Sequence, residues 1–387
     1  MNLQALRPLV ALSLIPQLGS RRIRSLINAA GSAERVFGMP SSQIQGVIGL
    51  GDATARYIAG FRDWAEVDRI IEGGERMGVY LLGLDDPAYP QLLLQIPDPP
   101  VLLWVRGELS ALNKLGIAVI GTRQPSNYGR TMAATLTSQL CEAGLSIVSG
   151  LAYGIDAIAH DTAVKSQGIT IGVLGSGIDR IYPSEHRPLA NRMVEAGGCI
   201  ISEFPLGTKP DAGNFPVRNR VVSGLSLGTL VIETKGEGGS MITARLALDQ
   251  NREVFAVPHR VGDTHGEGCN MLIQMAGAKL VASAKDVISD FSGRFNWQPT
   301  DTPVQTQLEF EPKPPGWMEM DLTPLSRSIC ELLEKGQIHT DDLSVTLEQP
   351  VHLVLNELLQ LEFAGLVRTL PGKMVVIERG LLGSNRS

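Results

Sequence analysis

At 387 residues, 43% of them apolar and 19% charged, the chain has an ordinary globular composition and is too long for one compact core, so two or three domains are expected. A net charge of −6 excludes a polycation that coats nucleic acid indiscriminately, and any such binding must come from a local patch. No apolar run reaches the roughly 18 residues of a membrane span. The start, Met1-Asn2-Leu3-Gln4-Ala5-Leu6-Arg7, lacks the build of a signal peptide, which makes no membrane and a cytoplasmic location the default expectation. Cys141, Cys199, Cys269 and Cys330 show no C-x-x-C spacing and read as buried thiols, not as a zinc site or disulfide framework.

Residues 1–78 read as a helical domain with a weak internal repeat, in which Ile15–Ile23 resembles Val47–Ala55. Each copy is an apolar residue, a Leu-Gly turn and a new helix, the pattern of a helix-hairpin-helix (SAM-like) domain, whose turn can hold a DNA phosphate; a plain helical turn with a glycine cap fits the same residues. Arg21, Arg22 and Arg24 follow the first turn and are possible accessory DNA contacts, whereas Asp52 in the second copy would repel phosphate. Residues 79–115, rich in proline, read as a connector that adds the strand Val101–Val105 as an edge element.

From Gly116 to about Asp290, β-branched runs alternate with helical stretches. Strands are expected at Ile117–Ile120, Ser146–Ser149, Thr170–Leu174, Cys199–Ser202, Thr229–Glu233, Glu253–Val257 and Lys279–Val281. That alternation predicts an α/β fold with a parallel sheet covered on both faces, and ligands at the carboxyl ends of its strands. Residues 292–321, proline-rich and polar, read as a linker. The remainder, 322–380, has helices near Pro324–Glu334, Thr340–Thr346 and Val351–Phe363, then Leu366–Thr369, a turn and Met374–Ile377, which spell a winged helix. Its third helix carries two glutamates and no lysine or arginine, unlike a major-groove reader, so protein contacts or an accessory role are expected of it.

The chemistry concentrates in Phe215–Ser226, where Arg218, Asn219 and Arg220 open a helix-compatible run and Phe215 offers a face for a base. By itself the segment serves equally as an anion site or as a structural ion pair beside a core phenylalanine. Glycine-rich turns at Gly121–Gly129, Ser149–Asp156, Gly175–Asp179 and Glu233–Ser240 let backbone approach a phosphate, with Arg123 beside the first. Neither G-x-G-x-x-G nor a P-loop is present, so no nicotinamide or nucleotide cofactor is expected. His160, four residues after Asp156, reads as structural; His186, His259 and His265 have no metal spacing; and Ser240 reads as a helix N-cap.

Ala118–Arg123, the block Ser149–His160, Val173–Gly177 with Tyr182-Pro183, Phe215–Arg220, Phe255–Pro258 and Gly268–Ile273 together resemble the DprA/Smf family, DNA-processing proteins of bacterial transformation. The resemblance implies an extended Rossmann-like core over residues 79–291 that dimerises near Gly268–Ala278, binds single-stranded DNA without sequence preference, protects it and loads the RecA recombinase. It implies no catalysis and no cofactor. Carried onto this chain, the DNA pocket comprises Gly121, Thr122, Arg123, Ser126, Gly150, Phe215, Arg218, Asn219 and Arg220, with Lys209 a weaker member. Arg218 and Arg220 are expected to point in different directions, one toward phosphate and one bracing the fold. The alternative is a nucleotide-processing enzyme resembling the cytokinin-activating phosphoribohydrolases, whose Pro-Gly-Gly-x-Gly-Thr turn Gly236–Thr243 only partly echoes.

Overall fold

The computed structural model describes residues 3–16, 18–47, 51–292, 317, 322–334, 336–370 and 373–377. The chain forms two compact units, Met1–Pro303 and Val304–Ser387. In the first, nine strands make one sheet: β1 Tyr80–Gly83, β2 Leu102–Gly107, β3 Gly116–Ile120, β4 Ser146–Ser149, β5 Thr170–Leu174, β6 Cys199–Ser202, β7 Gly228–Val231, β8 Glu253–Ala256 and β9 Lys279–Leu280, in the order β1-β2-β6-β5-β4-β3-β7-β8-β9. From β6 to β9 along that order every pairing is parallel. Both faces are buried: Ile117, Val119, Ile147 and Leu230 pack on one side, Ala118, Ile120, Val148 and Val231 on the other. Apolar residues at consecutive strand positions are what two covered faces demand.

Two expectations about the sheet need correction. The stretch near Val101–Val105 is not the edge, because β2 pairs antiparallel with β6 on one side (Trp104 opposite Ser202) and with β1 on the other (Tyr80 opposite Val105). The sheet is therefore mixed, and Tyr80–Gly83 forms its edge. Those four residues are too short for alternation to mark them as a strand, and they pair only because β2 offers a free side.

The N-terminal helices bury Val10, Leu12, Ile23, Leu26, Ile58 and Val67 in a cluster that runs on to Leu102 and Trp104 of β2. In the helix Trp64–Arg76, a Cβ at Gly74 would lie 2.9 Å from the Trp104 ring, so only glycine lets that helix approach so closely. The helices Ser20–Ala30 and Asp52–Ala59 follow Gly19 and Gly51 as the repeat predicts, though residues 48–50 lie outside the described residues.

In the second unit, helices Pro324–Leu333, Thr340–Thr346 and Val351–Phe363 pack against a sheet of β10 Ile338–His339, β11 Val367–Leu370 and β12 Met374–Ile377, ordered β10-β12-β11. Three helices with a wing hairpin are the expected winged helix; the two-residue β10 is an addition. Most of the expected linker 292–321 lies outside the described residues, but Trp317 within it is buried in this unit's core against Ile329 and Leu333.

Candidate nucleic-acid interface

After β3 the chain builds β4, β5 and β6 on one side, then returns to lay β7 along the other edge of β3. This is the topological switch point of an open sheet, where the strand-end turns diverge and leave a crevice. The turn after β3 is held by Glu233 at the end of β7. Its buried carboxylate accepts from the Ser126 N–H at 2.9 Å and the Ser126 hydroxyl at 2.5 Å, and its carbonyl accepts from Thr122 N–H at 2.8 Å. Ser126 in turn caps the helix Asn127–Glu142 by accepting from Gly129 N–H, and a Cβ on Gly129 would strike the Glu233 carboxylate. From the other side Gly154, at φ +79°, lets its backbone come against the Thr122 carbonyl, where a side chain would sit 2.3 Å away. So fixed, the turn presents Arg123 exposed, with no hydrogen bond or ion pair among the described residues.

Arg218 comes from the helix Asn214–Gly224 and is only 5% exposed. Its Nη1 donates to the Gly150 carbonyl and to the Val173 carbonyl (2.5 Å), and its Nε donates to Asn219 Oδ1 at 3.2 Å. Gly150 makes this possible, since a Cβ there would lie 2.5 Å from Nη1. Burial pushes the Arg218 guanidinium down to about 10, Asp156 opposing and Arg123 reinforcing the shift, so the charge is fully present at neutral pH. Asp156 accepts from the Gly150 and Ala152 N–H groups at 3.1 and 3.3 Å. Arg123 and Arg218 each place a guanidinium carbon over the Phe215 ring, at 5.5 and 5.8 Å from its centroid, and Tyr182 lies 5.8 Å from the same ring. These side chains, with Gly150, Tyr153 and Pro183, line a shallow notch of about 10 Å³ whose wall contains no carboxylate.

Several residues grouped by the sequence have other surroundings here. Arg220 is directed into a bidentate pair with Glu203 (2.6 and 2.8 Å), with Asp98 at 3.4 Å, and is removed from the phosphate set. Burial works against its charge, but Glu203 and Asp98 more than offset this and hold it above the ordinary arginine value. Gly121 is a packing residue, its missing side chain making room for Ile155; Ser126 is a cap; and the Gly150 N–H is already taken by Asp156. Lys209 lies exposed on the loop after β6 and is not part of the notch wall. Arg21, Arg22 and Arg24 lie on the helix Ser20–Ala30, where Arg24 donates to the Pro97 carbonyl at 3.1 Å. Ser240 is not the N-cap, a place taken by Gly238; it sits in the first turn and donates to Thr234 Oγ1. His160 is wholly buried, its Nδ1 2.7 Å from Thr170 Oγ1, and burial pushes it down to about 3.

Sequence reasoning missed Glu233 as the clamp of the first turn, Glu203 as the partner of Arg220, and Tyr153 as notch wall. Tyr153 and Glu233 lie in turns the sequence singles out, but the role of each side chain is set by what stands across the sheet from it. Among the described residues, no group of three or more histidines, cysteines or acids could hold a metal ion, and no helix is long and apolar enough to cross a membrane.

The profile of the family described as DNA recombination-mediator protein A matches residues 80–292, and that of the DprA winged helix domain matches 311–373. Protein Smf of Escherichia coli is 38% identical over 308 residues, covering 79% of each chain, and the DNA processing protein DprA of Bacillus subtilis is 40% identical over 232 residues, 60% of this chain and 77% of that one. The crystal structure of DNA processing protein A from Streptococcus pneumoniae superposes with a TM-score of 0.63 at 32% identity, covering 73% of this chain and 96% of that one. With the sheet-bearing residues 80–292 and the winged-helix residues 311–373 both matched, the chain belongs to the DNA recombination-mediator protein A (DprA/Smf) family.

Proposed function

We propose that the chain is a non-catalytic, sequence-independent binder of single-stranded DNA, which it protects and presents to the RecA recombinase, and that it works as a homodimer through the core. The observation that carries this is the notch itself: two guanidiniums flanking one aromatic face, with no carboxylate in the wall. Arg123 and Arg218 are the phosphate ligands in this reading. Phe215 stacks a base, worth about 1–3 kcal/mol whatever the base. Thr122, Ser126, Gly121 and Gly150 build the turns, Asn219 orients Arg218, and Arg220 braces the helix. The wall holds no carboxylate to serve as a general acid or base, which weighs against the phosphoribohydrolase alternative. Met275, 73% exposed directly after the helix Glu267–Gln274, supplies an apolar contact for the dimer.

The test is a gel-shift comparison of single-stranded and duplex DNA at two salt concentrations. Preference for the single strand is expected, with a slope of log affinity against log salt of about −0.7 per phosphate contacted, and with a strong loss in Arg123→Glu. Salt-insensitive binding, or unchanged affinity in Arg123→Glu, overturns the proposal.

A further inference from the structure

Several guanidiniums of the first unit face a carboxylate, among them Arg7 with Asp68, Arg180 with Asp179, Arg192 with Asp161 and Arg220 with Glu203. Arg106 and Arg187 do not. Arg106 stands on β2 on the face covered by the helix Arg187–Glu195, and its Nη2 donates to Asn191 Oδ1 at 3.1 Å. Asn191 lies one turn beyond Arg187, so Arg187 and the Arg106 head share one face of that helix. Arg106 Nε is buried with no hydrogen-bond partner, and the Arg187 side chain makes no hydrogen bond or ion pair among the described residues. Burial first, then Arg187, lowers the affinity of Arg106 for its proton, as expected of two like charges brought together with no anion between them. A half-buried donor without an acceptor, beside a second guanidinium, is an incomplete anion site.

Its position gives it a use. The helix Arg187–Glu195 starts directly after the Ser184–His186 turn, which itself follows Tyr182-Pro183 of the notch wall. Across the sheet, β2 is two strands, or about 10 Å, from β5, with Arg106 level with Gly172 (both opposite Ile200), three residues before the Gly175 that lines the notch. We infer that Arg106 and Arg187 form a second phosphate site, which takes the phosphodiester backbone of a single strand as it leaves the notch past Tyr182. The inference rests on the notch being the primary DNA site and extends its footprint toward the β2 side.

The experiment compares oligonucleotides of about six and about sixteen nucleotides, within the range of single-strand site sizes, on the full chain and on Arg187→Glu, Arg106→Gln and Arg123→Glu. Arg187 is exposed, so Arg187→Glu separates loss of the contact from loss of the fold. Arg187→Glu and Arg106→Gln are expected to weaken the longer strand roughly ten- to a hundredfold, to flatten its salt slope by about 0.7 for each phosphate lost, and to leave the shorter strand within about twofold. Unchanged affinity and slope on the longer strand in Arg187→Glu overturn the inference, as does an equal loss on both lengths, which would place these arginines in the notch. Failure of the notch reading has a different signature: Arg123→Glu then binds both lengths as the unaltered chain does.

Discussion

On the helix Asn214–Gly224, residues 218 and 220 are about 200° apart around the axis, and their guanidiniums meet opposite surroundings. Arg218 faces two carbonyls and the notch, while Arg220 faces two carboxylates. The side chains of Arg220 and Glu203 are 11% and 10% exposed, so removing one leaves the other as an uncompensated buried charge. Arg220→Met is expected to lose about 3–5 kcal/mol in denaturant melts, with Glu203→Leu added to it recovering part of the loss. Gly150→Ala puts a methyl group where Arg218 Nη1 sits; a cost of about 1–3 kcal/mol in the same melts, with loss of single-strand affinity, is the expected result. His160 makes an acid-side prediction. Its folded value near 3 lies below the ordinary 6.5, so the unfolded chain binds the extra proton, and the stability contributed by the neutral ring is present above pH 6.5 and lost as pH falls toward 3, at about 1.4 kcal/mol per pH unit. Melts at pH 7 and 4.5 should therefore show a smaller pH-dependent drop in His160→Asn than in the unaltered chain.

Among the elements, strands β3 to β8 were legible within a residue or two because each is a short, largely apolar run bounded by turn-forming residues and separated from the next by a helical stretch. Tyr80–Gly83 and Ile338–His339 were not, since two to four residues carry no periodicity and become strands only when a partner pairs with them. In the winged helix, Val351, Leu355, Leu359 and Phe363 recur every four residues along the third helix and are all exposed, an apolar ridge where a DNA reader would present cations. Deleting residues 304–387, the whole second unit, should therefore leave single-strand affinity within about threefold in the gel-shift assay, because the notch and its supports lie in the first unit. A loss of tenfold or more would assign the winged helix a DNA contact.

For the whole molecule, the net charge of −6 allows DNA binding only where acidic residues are kept away, and the notch wall satisfies this locally. One notch with two arginines holds few phosphates, and in the proposed homodimer two notches acting together would raise avidity for long strands by roughly 10²–10⁴ where the geometry permits. Met275→Glu should yield a monomer by sedimentation, with weaker binding to long oligonucleotides and little change on short ones. A monomer that binds long strands as tightly as the unaltered chain would separate dimerisation from DNA affinity.

From the sequence alone came the parallel strands, the turns at their carboxyl ends and the cluster around Phe215, because residue type and local periodicity encode these over a few neighbouring positions. Which of two nearby arginines reaches the notch, which glutamate clamps the first turn, and which strand closes the sheet were decided only in the folded molecule. Those outcomes depend on what stands across the sheet: the Gly150 and Val173 carbonyls beside Arg218, Glu203 beside Arg220, and Glu233, brought by β7 to a turn more than a hundred residues earlier. A side chain settles where its charge or donors find a partner, and that partner is chosen by the tertiary arrangement of segments remote in the chain.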